Sequence, residues 1–582
     1  MNNREISKIL YEMAALSRME DEEFKARAYE RVSQSIDGLG RELEDVYGKK
    51  GVGGLLEIPG IGKNIAGHIT SLIEKGTFQE YKILKKKIPV DVLGLLQVEG
   101  VGPKNVKALW ENLKIKNLDD LEIAAKRKRI RELENFGEKT EEKILAGIEF
   151  VRKSGGRKVL GLILPEIRKM EEEIKKFPDV ERVVIAGSVR RRRETIGDVD
   201  ILVVGKNPKK IMDQFIQLSE VDHIIAKGEK KTSVALKIGI NSDLRVFSED
   251  EFGAALNYFT GSQAHNIRLR QIAKEKGLKL SEYGLFKGKK KIAGKTEEGI
   301  YEKLGLSYIE PELREDAGEI EAAQEGKLPR LIGYGDLKGD LQIQTDWTDG
   351  HHSIWEMATY AMEEGLEYIV ITDHTKDLAV AGGSDEKRLL EQMGEIDKLN
   401  SRLKKEKKKF RILRGAETNI LKDGSIDIDD KTLAKLDVVG AAIHKNFELS
   451  RKEQTERVIK TMKNPHVDII FHLTTRVIGK RRGVELDMER IFEVAKQTGT
   501  VLEIDAFPDR LDIAAQYVRI CAERGIKMSI DSDAHAKAHI DYLEHGIAEA
   551  RRGWAQKKDI INAHSLEKML SMLKGKKSTG KF

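Results

Sequence analysis

The stretch RVVIAGSVRRRRETIGDVDILVVG, residues 182 to 205, takes an apolar strand into Gly187-Ser188, turns through four arginines, and returns as a second strand, DVDILVV. Side chains alternate along a strand, so Asp198 and Asp200 share one face. Two like charges beside Ile201, Leu202 and Val203 are costly unless a cation neutralises them. The segment SDLRVF, 242 to 247, reads as another strand and brings Asp243, the natural third carboxylate. Three carboxylates can hold two magnesium ions, one activating a nucleophilic oxygen and both stabilising charge on a transferring phosphoryl group. Gly187 and Ser188 let the chain approach a triphosphate, and the run from Arg190 to Arg193 supplies charge for it. A lone DxD is more often surface acid. A GS turn, a basic run, GDxD on a strand and a distant strand aspartate form a far more specific set.

Upstream, the first third has apolar residues at three- and four-residue intervals and reads as helical. It also repeats. EIPGIGKNIAGHI (57 to 69) and QVEGVGPKNVKAL (97 to 109) share an apolar-x-Gly-apolar-Gly core offset by 40 positions, and LENFGEKTEEKIL (133 to 145) is a weaker third copy. Such a hairpin lets Gly60, Gly62, Gly100 and Gly102 bring backbone N–H groups and a helix N-terminus against a phosphate, with Lys63 and Lys104 just beyond. It would grip nucleic-acid backbone without reading bases. The bland alternative is a glycine corner between packed helices.

Downstream of residue 332, short apolar strands alternate with amphipathic helices: YIVITDH, FRILRGAE, LDVVGAAIH, VDIIFH, TVLEIDA and IKMSIDSDAH. This βα alternation argues for a barrel with its site at one mouth. Asp349, His374, Glu417, His444, His472, Asp533 and His535 fall at strand ends, and seven ligand-type residues at successive ends favour metal over packing.

Composition bounds the reading. A chain of 582 residues suggests roughly four domains. The net charge of +6 matters only where it is clustered, at KRKRIR (126 to 131), VRRRRE (189 to 194) and GKRRG (479 to 483), so a polyanion is a plausible partner. The single Cys521 excludes an intrachain disulfide framework. The polar start MNNREISKIL lacks a signal-peptide core and no apolar run is long enough to span a membrane, which predicts a soluble, cytoplasmic protein.

Taken in order, these motifs resemble the family X DNA polymerases, DNA polymerase beta-like enzymes, and in particular the bacterial and archaeal members with a C-terminal PHP (polymerase and histidinol phosphatase) domain. The resemblance covers nearly all of the chain, and YFTGS (258 to 262) matches the family word for word. On its own that run would read as a strand ending in a turn. The resemblance implies a helical N-terminal region with helix-hairpin-helix motifs, a nucleotidyltransferase palm and thumb, and a distorted seven-stranded (β/α)7 PHP barrel. The expected domains are 1–90 and 91–154, each with one hairpin, a palm at 155–252, a nucleotide-selecting thumb at 253–312, a linker at 313–334 and the PHP domain at 335–575.

It further implies Asp198, Asp200 and Asp243 as catalytic carboxylates, and Gly187, Ser188, Arg191, Tyr258, Phe259, Gly261 and Asn266 as nucleotide contacts. Tyr258 would exclude a ribose 2′-hydroxyl, Arg270 would meet the template side of the nascent pair, and Lys25 and Tyr29 would contact a downstream 5′ end. The implied partners are gapped or primer-template DNA and dNTPs, met by a monomer. The implied cofactors are two Mg2+, zinc or manganese in the barrel, and a monovalent cation at the hairpins.

Three departures qualify the resemblance. His68 stands where the family places a Schiff-base lysine, and Lys63, five residues back, lies about 140° around a helix, so 5′-deoxyribose phosphate lyase activity is not expected. In GDLQIQTDWTDG (339 to 350), Gln342 and Gln344 replace the two imidazoles that open an active PHP site, and an amide oxygen is a poor substitute. Leu473 follows His472 where proline is usual, and Asp505 stands where asparagine is usual. These changes predict an impaired 3′-5′ exonuclease with a one- or two-metal site, a residual phosphatase or phosphodiesterase, or a purely structural barrel. Competing readings of the whole chain are a nucleotidyltransferase acting on RNA or another acceptor, and a DNA-binding scaffold.

Overall fold

The computed structural model describes residues 1 to 574 except 2, 38–42, 59, 99, 154 and 155. The boundary expected at 154/155 and the barrel end expected at 575 lie outside the described residues. Helices Asn3–Met19 and Glu23–Asp37 open the chain, and the two glycine hairpins deliver it into helices Lys63–Lys75 and Pro103–Leu113. Leu10, Leu72, Leu109 and Ile148 belong to one apolar core that runs through both hairpin regions.

The palm is a five-stranded sheet in the order Val180–Ile185, Asp198–Gly205, Asn241–Phe247, Lys231–Leu236, Val221–Lys227. Strands Asp198–Gly205 and Asn241–Phe247 are parallel, with Asp200 directly opposite Asp243. Alternation splits the central strand between two cores. Val199, Ile201 and Val203 meet Ile163, Ile167 and Met170 of helix Leu160–Lys175, while Leu202 and Val204 meet Phe252, Ala255 and Leu256 of helix Glu249–Thr260. YFTGS therefore begins in a helix rather than the strand its β-favouring residues suggest. The Ser248–Glu251 capping box starts that helix, and burial of its apolar face overrides local propensity.

The C-terminal region has seven parallel strands in sequence order, from Gly339–Ile343 to Met528–Asp531. Closure follows the last strand: Gln344 N–H donates to the Ala534 carbonyl at 2.8 Å, and Ile343 bridges Ala534 in parallel. The first strand is thus held on both sides, by Tyr368–Ile371 and by the segment after Asp531, and all five of its residues are buried.

The segment expected to link thumb and barrel is packed. Arg314 is fully buried and pairs with Glu297 at close range, Glu319 takes His265 Nδ1 at 2.7 Å, and Glu312 takes Arg551 Nε at 2.7 Å. Prolines and acids gave it a loop-like composition because the acids serve buried cations and imidazole rather than solvent.

The palm and barrel also meet through buried charge. Arg476 donates to Glu194 Oε1 at 2.7 Å and to the Arg510 carbonyl at 2.8 Å, and Glu194 is hydrogen-bonded to Glu549. Burial, together with the neighbouring Glu194, pushes the Glu549 carboxyl up to about 7 against the pull of Arg552 and Arg476. The folded protein then holds a proton that the unfolded chain has released. That contribution is complete below about pH 4.5 and is lost as pH rises through about 7. Glu549→Gln should flatten the decline in melting temperature of the natural protein between about pH 5 and pH 8, measured by calorimetry. An identical slope in the variant would remove Glu549 from that linkage.

Candidate functional site

The two hairpins share one backbone. Gly60 and Gly100 have φ of 84° and 86°, in the region that favours glycine. Ile61 N–H donates to the Ile58 carbonyl at 3.1 Å, and Val101 to Val98 at 3.0 Å. Gly62 and Gly102 cap the following helices without a side-chain hydrogen bond, and a β-carbon on either would meet nothing within 4 Å. Packing therefore does not require glycine at those two positions, whereas close approach of a phosphate to the helix N–H groups does. The third copy makes the same turn, with Asn135 at φ 68° and Phe136 N–H donating to Leu133, but Glu138 and Glu141 occupy its helix start. Glu141 accepts from the Ile130 and Arg131 N–H groups, both at 3.0 Å, so its carboxylate ties this helix back to the turn at Ile130–Glu132.

At the palm, Asp200 and Asp243 face each other with Asp198 two residues away on the same side. Burial and the Asp198 charge push the Asp200 carboxyl up to about 6. Asp243 is also raised by burial, but hydrogen bonds from Ser233 and Lys231 and the charge of Arg245 leave it below its ordinary value. Arg245, unremarked in the sequence, donates to Asp200 Oδ1 at 2.9 Å and Asp243 Oδ2 at 2.7 Å, with its guanidinium 4.3 Å from the Phe259 ring centre. Its position two residues after Asp243 places it on the acidic face, a signal that strand alternation carried. Gly187 has φ 62°, and a β-carbon there would lie 2.7 Å from Asp200 Oδ2. A raised carboxyl, three converging acids and a glycine that keeps space beside them fit divalent cations.

Arg191 lies beside this space. It donates through Nε to Glu315 at 2.9 Å and through Nη1 to the Thr260 carbonyl, and a β-carbon on Gly261 would press within 2.9 Å of that Nη1. Arg190 is committed elsewhere, as a bidentate partner of Glu297 at 3.0 and 2.6 Å. The basic run is therefore not four equivalent phosphate ligands. Ser188 lies in the short helix Gly187–Arg190. Tyr258 and Phe259 meet edge to face, Asn266 Nδ2 donates to the Tyr258 carbonyl at 2.6 Å, and Arg270 Nε donates to Asn266 at 3.3 Å.

In the N-terminal region, His68 Nδ1 is 2.8 Å from the Tyr29 hydroxyl, and its ring stacks on Phe78 with centres 4.3 Å apart. Burial lowers the His68 pKa, and Glu80 binds both Tyr29, at 3.3 Å, and Lys25. The exposed Lys63 starts the same helix on another face. No amine takes the position of His68.

Glu417 is the centre of the barrel mouth. It is fully buried, accepts from Gln344 Nε2 at 2.8 Å, and has His444 Nε2 at 3.0 Å, His472 Nε2 at 2.9 Å and His374 Nδ1, which makes no hydrogen bond, at 3.4 Å. Asn419 accepts from His444 Nδ1 at 2.7 Å, which fixes the ring so that Nε2 faces the mouth. Donor atoms of His374, Glu417 and His444 lie within 4.8 Å of one another, as do those of Asp349, His374 and His535. These two groups fit divalent metal. Asp533 is not in either: its Oδ2 is 3.5 Å from Arg510 Nε, which also stands 3.6 Å from Asp505. Arg510, from a loop with no ligand signature, thus puts a fixed cation beside the acids. Gln342 is fully buried with both amide atoms unpartnered, and Gln344 Oε1 is likewise unpartnered. The first-strand position therefore offers amides, a donor set that does not fit a zinc or manganese ion.

Comparisons with known proteins cover the same regions. Family models match as a helix-hairpin-helix domain at residues 1–78, a SAM-like helix-hairpin-helix tandem at 92–149 and a DNA polymerase beta thumb at 255–315. The chain is 35% identical over 580 residues to the DNA polymerase/3′-5′ exonuclease PolX of Bacillus subtilis, spanning 99% of this chain and all of that one. It is 22% identical over 366 residues to DNA polymerase lambda of Arabidopsis thaliana, 54% of this chain and 62% of the relative. A probable phosphatase of Syntrophotalea carbinolica is 27% identical over 249 residues, 41% of this chain and 97% of the relative.

Gly60→Val and Gly100→Val together should weaken binding to gapped DNA by about tenfold, equally across unrelated sequences and with a shallower salt dependence. Fluorescence anisotropy, normalised to folded protein by circular dichroism, checks it. Unchanged affinity per folded molecule would favour corner-turning glycines.

Proposed function

The chain belongs to the family X DNA polymerases that carry a C-terminal PHP domain, and from that membership we propose that it fills short gaps in duplex DNA during base-excision repair. It is a DNA-directed DNA polymerase. The observation that carries the site assignment is the direct opposition of Asp200 and Asp243 on adjacent parallel strands, with Asp198 on the same face and Gly187 keeping space open beside them. Asp198, Asp200 and Asp243 would hold two magnesium ions, which would neutralise charge on the transferring phosphoryl group and acidify the primer 3′-hydroxyl.

In this reading Asp243 favours loss of the hydroxyl proton, and Gly187, Ser188 and Arg191 receive the triphosphate. Arg245 must leave the two carboxylates as that charge arrives, and the Phe259 ring beneath it gives the guanidinium another favourable contact. Tyr258, Phe259 and Gly261 shape the sugar site, Asn266 meets the base edge and Arg270 the template side. Gly60, Gly62, Lys63, Gly100, Gly102 and Lys104 hold DNA backbone, aided by a monovalent cation at each hairpin, and Lys25 and Tyr29 face a downstream 5′ end without lyase chemistry. Among the described residues, no helix is long and apolar enough to cross a membrane. We place the protein in the cytoplasm as a monomer that selects dNTPs.

Asp198→Ala or Asp200→Ala should reduce magnesium-dependent primer extension by on the order of 10³-fold, matching several kcal/mol of lost charge stabilisation, while gapped-DNA affinity stays within about twofold. Unchanged extension in both variants would sink the assignment. An NTP preference in the same assay would instead favour the RNA-acceptor reading.

For the barrel, we propose a reduced site of one or two zinc or manganese ions on Asp349, His374, Glu417, His444, His472 and His535, with weakened 3′-5′ exonuclease activity. The unpartnered amide of Gln342 favours this reading. Restoring histidine, as Gln342→His with Gln344→His, should raise the metal content of purified protein by about one ion per chain, measured by elemental analysis. Robust manganese-dependent digestion by the natural barrel in an Asp200→Ala background, abolished by His374→Ala, would contradict it.

A further inference from the structure

The guanidinium that would receive the triphosphate already holds an anion. Arg191 Nε donates to Glu315 Oε1 at 2.9 Å, and Arg193 Nη1 stands 3.6 Å from the same oxygen. From this geometry we propose that Glu315 is an exchangeable counter-anion of the nucleotide site. It occupies Arg191 when no nucleotide is bound, gives way to the triphosphate, and returns to help expel pyrophosphate. The inference deepens the polymerase reading and rests on Arg191 as a phosphate ligand.

The chain on both sides of Glu315 is fixed. Arg314 before it is fully buried, pairs with Glu297, and donates through Nε to the Ile309 carbonyl at 2.9 Å. The Arg314 carbonyl accepts from Ser262 N–H at 2.9 Å, which ties this segment to the end of YFTGS. After Glu315, the Asp316 and Ala317 N–H groups donate to Glu319 at 2.9 and 2.6 Å. The carboxylate is therefore carried to Arg191 by an anchored backbone, unlike an acid on a free surface loop.

The ion pair itself can part. The Glu315 side chain is 27% exposed, so its carboxylate can turn to water without disturbing a core. Arg191 keeps its place without it, because Nη1 donates to the Thr260 carbonyl and Gly261 leaves room for that bond. A neutral carbonyl thus orients the guanidinium, and the carboxylate balances its charge. Arg190 is built the opposite way: its bidentate partner Glu297 is buried, at 3.0 and 2.6 Å, and stays. Burial, then Arg552 and Arg191, lower the Arg193 pKa against the pull of Glu315, so the turn is crowded with positive charge. A part-exposed ion pair is weak, whereas a guanidinium–phosphate contact is charge-assisted and can be bidentate, so a triphosphate displaces the carboxylate. Pyrophosphate has lost the sugar and base contacts and competes less well against it.

The test uses the full chain on primer-template DNA whose primer ends in a dideoxynucleotide, so that dCTP binds opposite template guanine without reacting. Equilibrium dialysis in magnesium reads the dCTP dissociation constant, and competition by pyrophosphate reads the second. Glu315→Gln should tighten both about tenfold, because an amide leaves the Arg191 charge unbalanced. Glu315→Asp keeps the charge and should stay within about threefold of the natural protein. Weaker or unchanged dCTP binding in Glu315→Gln, or the same tightening in Glu315→Asp, would overturn the exchange. Arg191→Ala separates the two readings. If it binds dCTP as the natural protein does, Arg191 is no phosphate ligand and both fall. If it binds dCTP weakly while Glu315→Gln changes nothing, the exchange alone falls.

Discussion

Asp200 faces Asp243 across adjacent parallel strands, with Asp198 beside them, and this concentration of like charge is the constraint around which the palm is organised. Apolar packing on both faces of the sheet fixes the strands so that the acids cannot separate. Arg245 offsets part of the repulsion by bonding to two of the acids, and the remaining strain is visible in the raised Asp200 carboxyl. Gly187 has no side chain because any β-carbon there would press on Asp200. The same interactions that make the site tolerable without ions prepare it to take positive charge.

The barrel mouth solves a related problem with different chemistry. Glu417 is buried among imidazoles and an amide, and His374, His444 and His472 pull its carboxyl well below the ordinary range despite burial. Across the mouth, Arg510 faces Asp505 and Asp533. Arg476 ties the two regions together, since it holds the carbonyls of Arg510 and Leu511 and pairs with Glu194 next to the basic turn of the palm. The histidine strand ends and the nucleotide turn are thus parts of one packed unit.

Much of this was legible in the sequence because it follows from local periodicity. Alternation put Asp198 and Asp200 on one face, repeated glycines marked the two hairpins, and ligand-type residues at strand ends marked the barrel mouth. Arg245 obeys the same alternation and could have been found by it. Other features depend on tertiary contacts that spacing does not encode. Arg510 comes from a loop whose path is set by packing, so its approach to Asp505 and Asp533 was not readable. The segment 313–334 looked like a linker because the partners of its buried charges, Glu297 for Arg314 and His265 for Glu319, and Arg551 for the adjoining Glu312, are distant in sequence. Tyr258 and Phe259 favour strands in isolation, but a capping box and a buried face make them helical.

The most direct test of the account is the number and position of ions bound to the folded chain. Crystals of the protein with gapped DNA and a non-hydrolysable dNTP, grown in manganese, would locate each ion by anomalous scattering. The account predicts two ions among Asp198, Asp200 and Asp243, with Arg245 withdrawn from both of its carboxylates, and ions in the barrel only beside His374, His444 and His535. An empty palm with DNA bound, or a full ion beside Gln342 and Gln344, would contradict it.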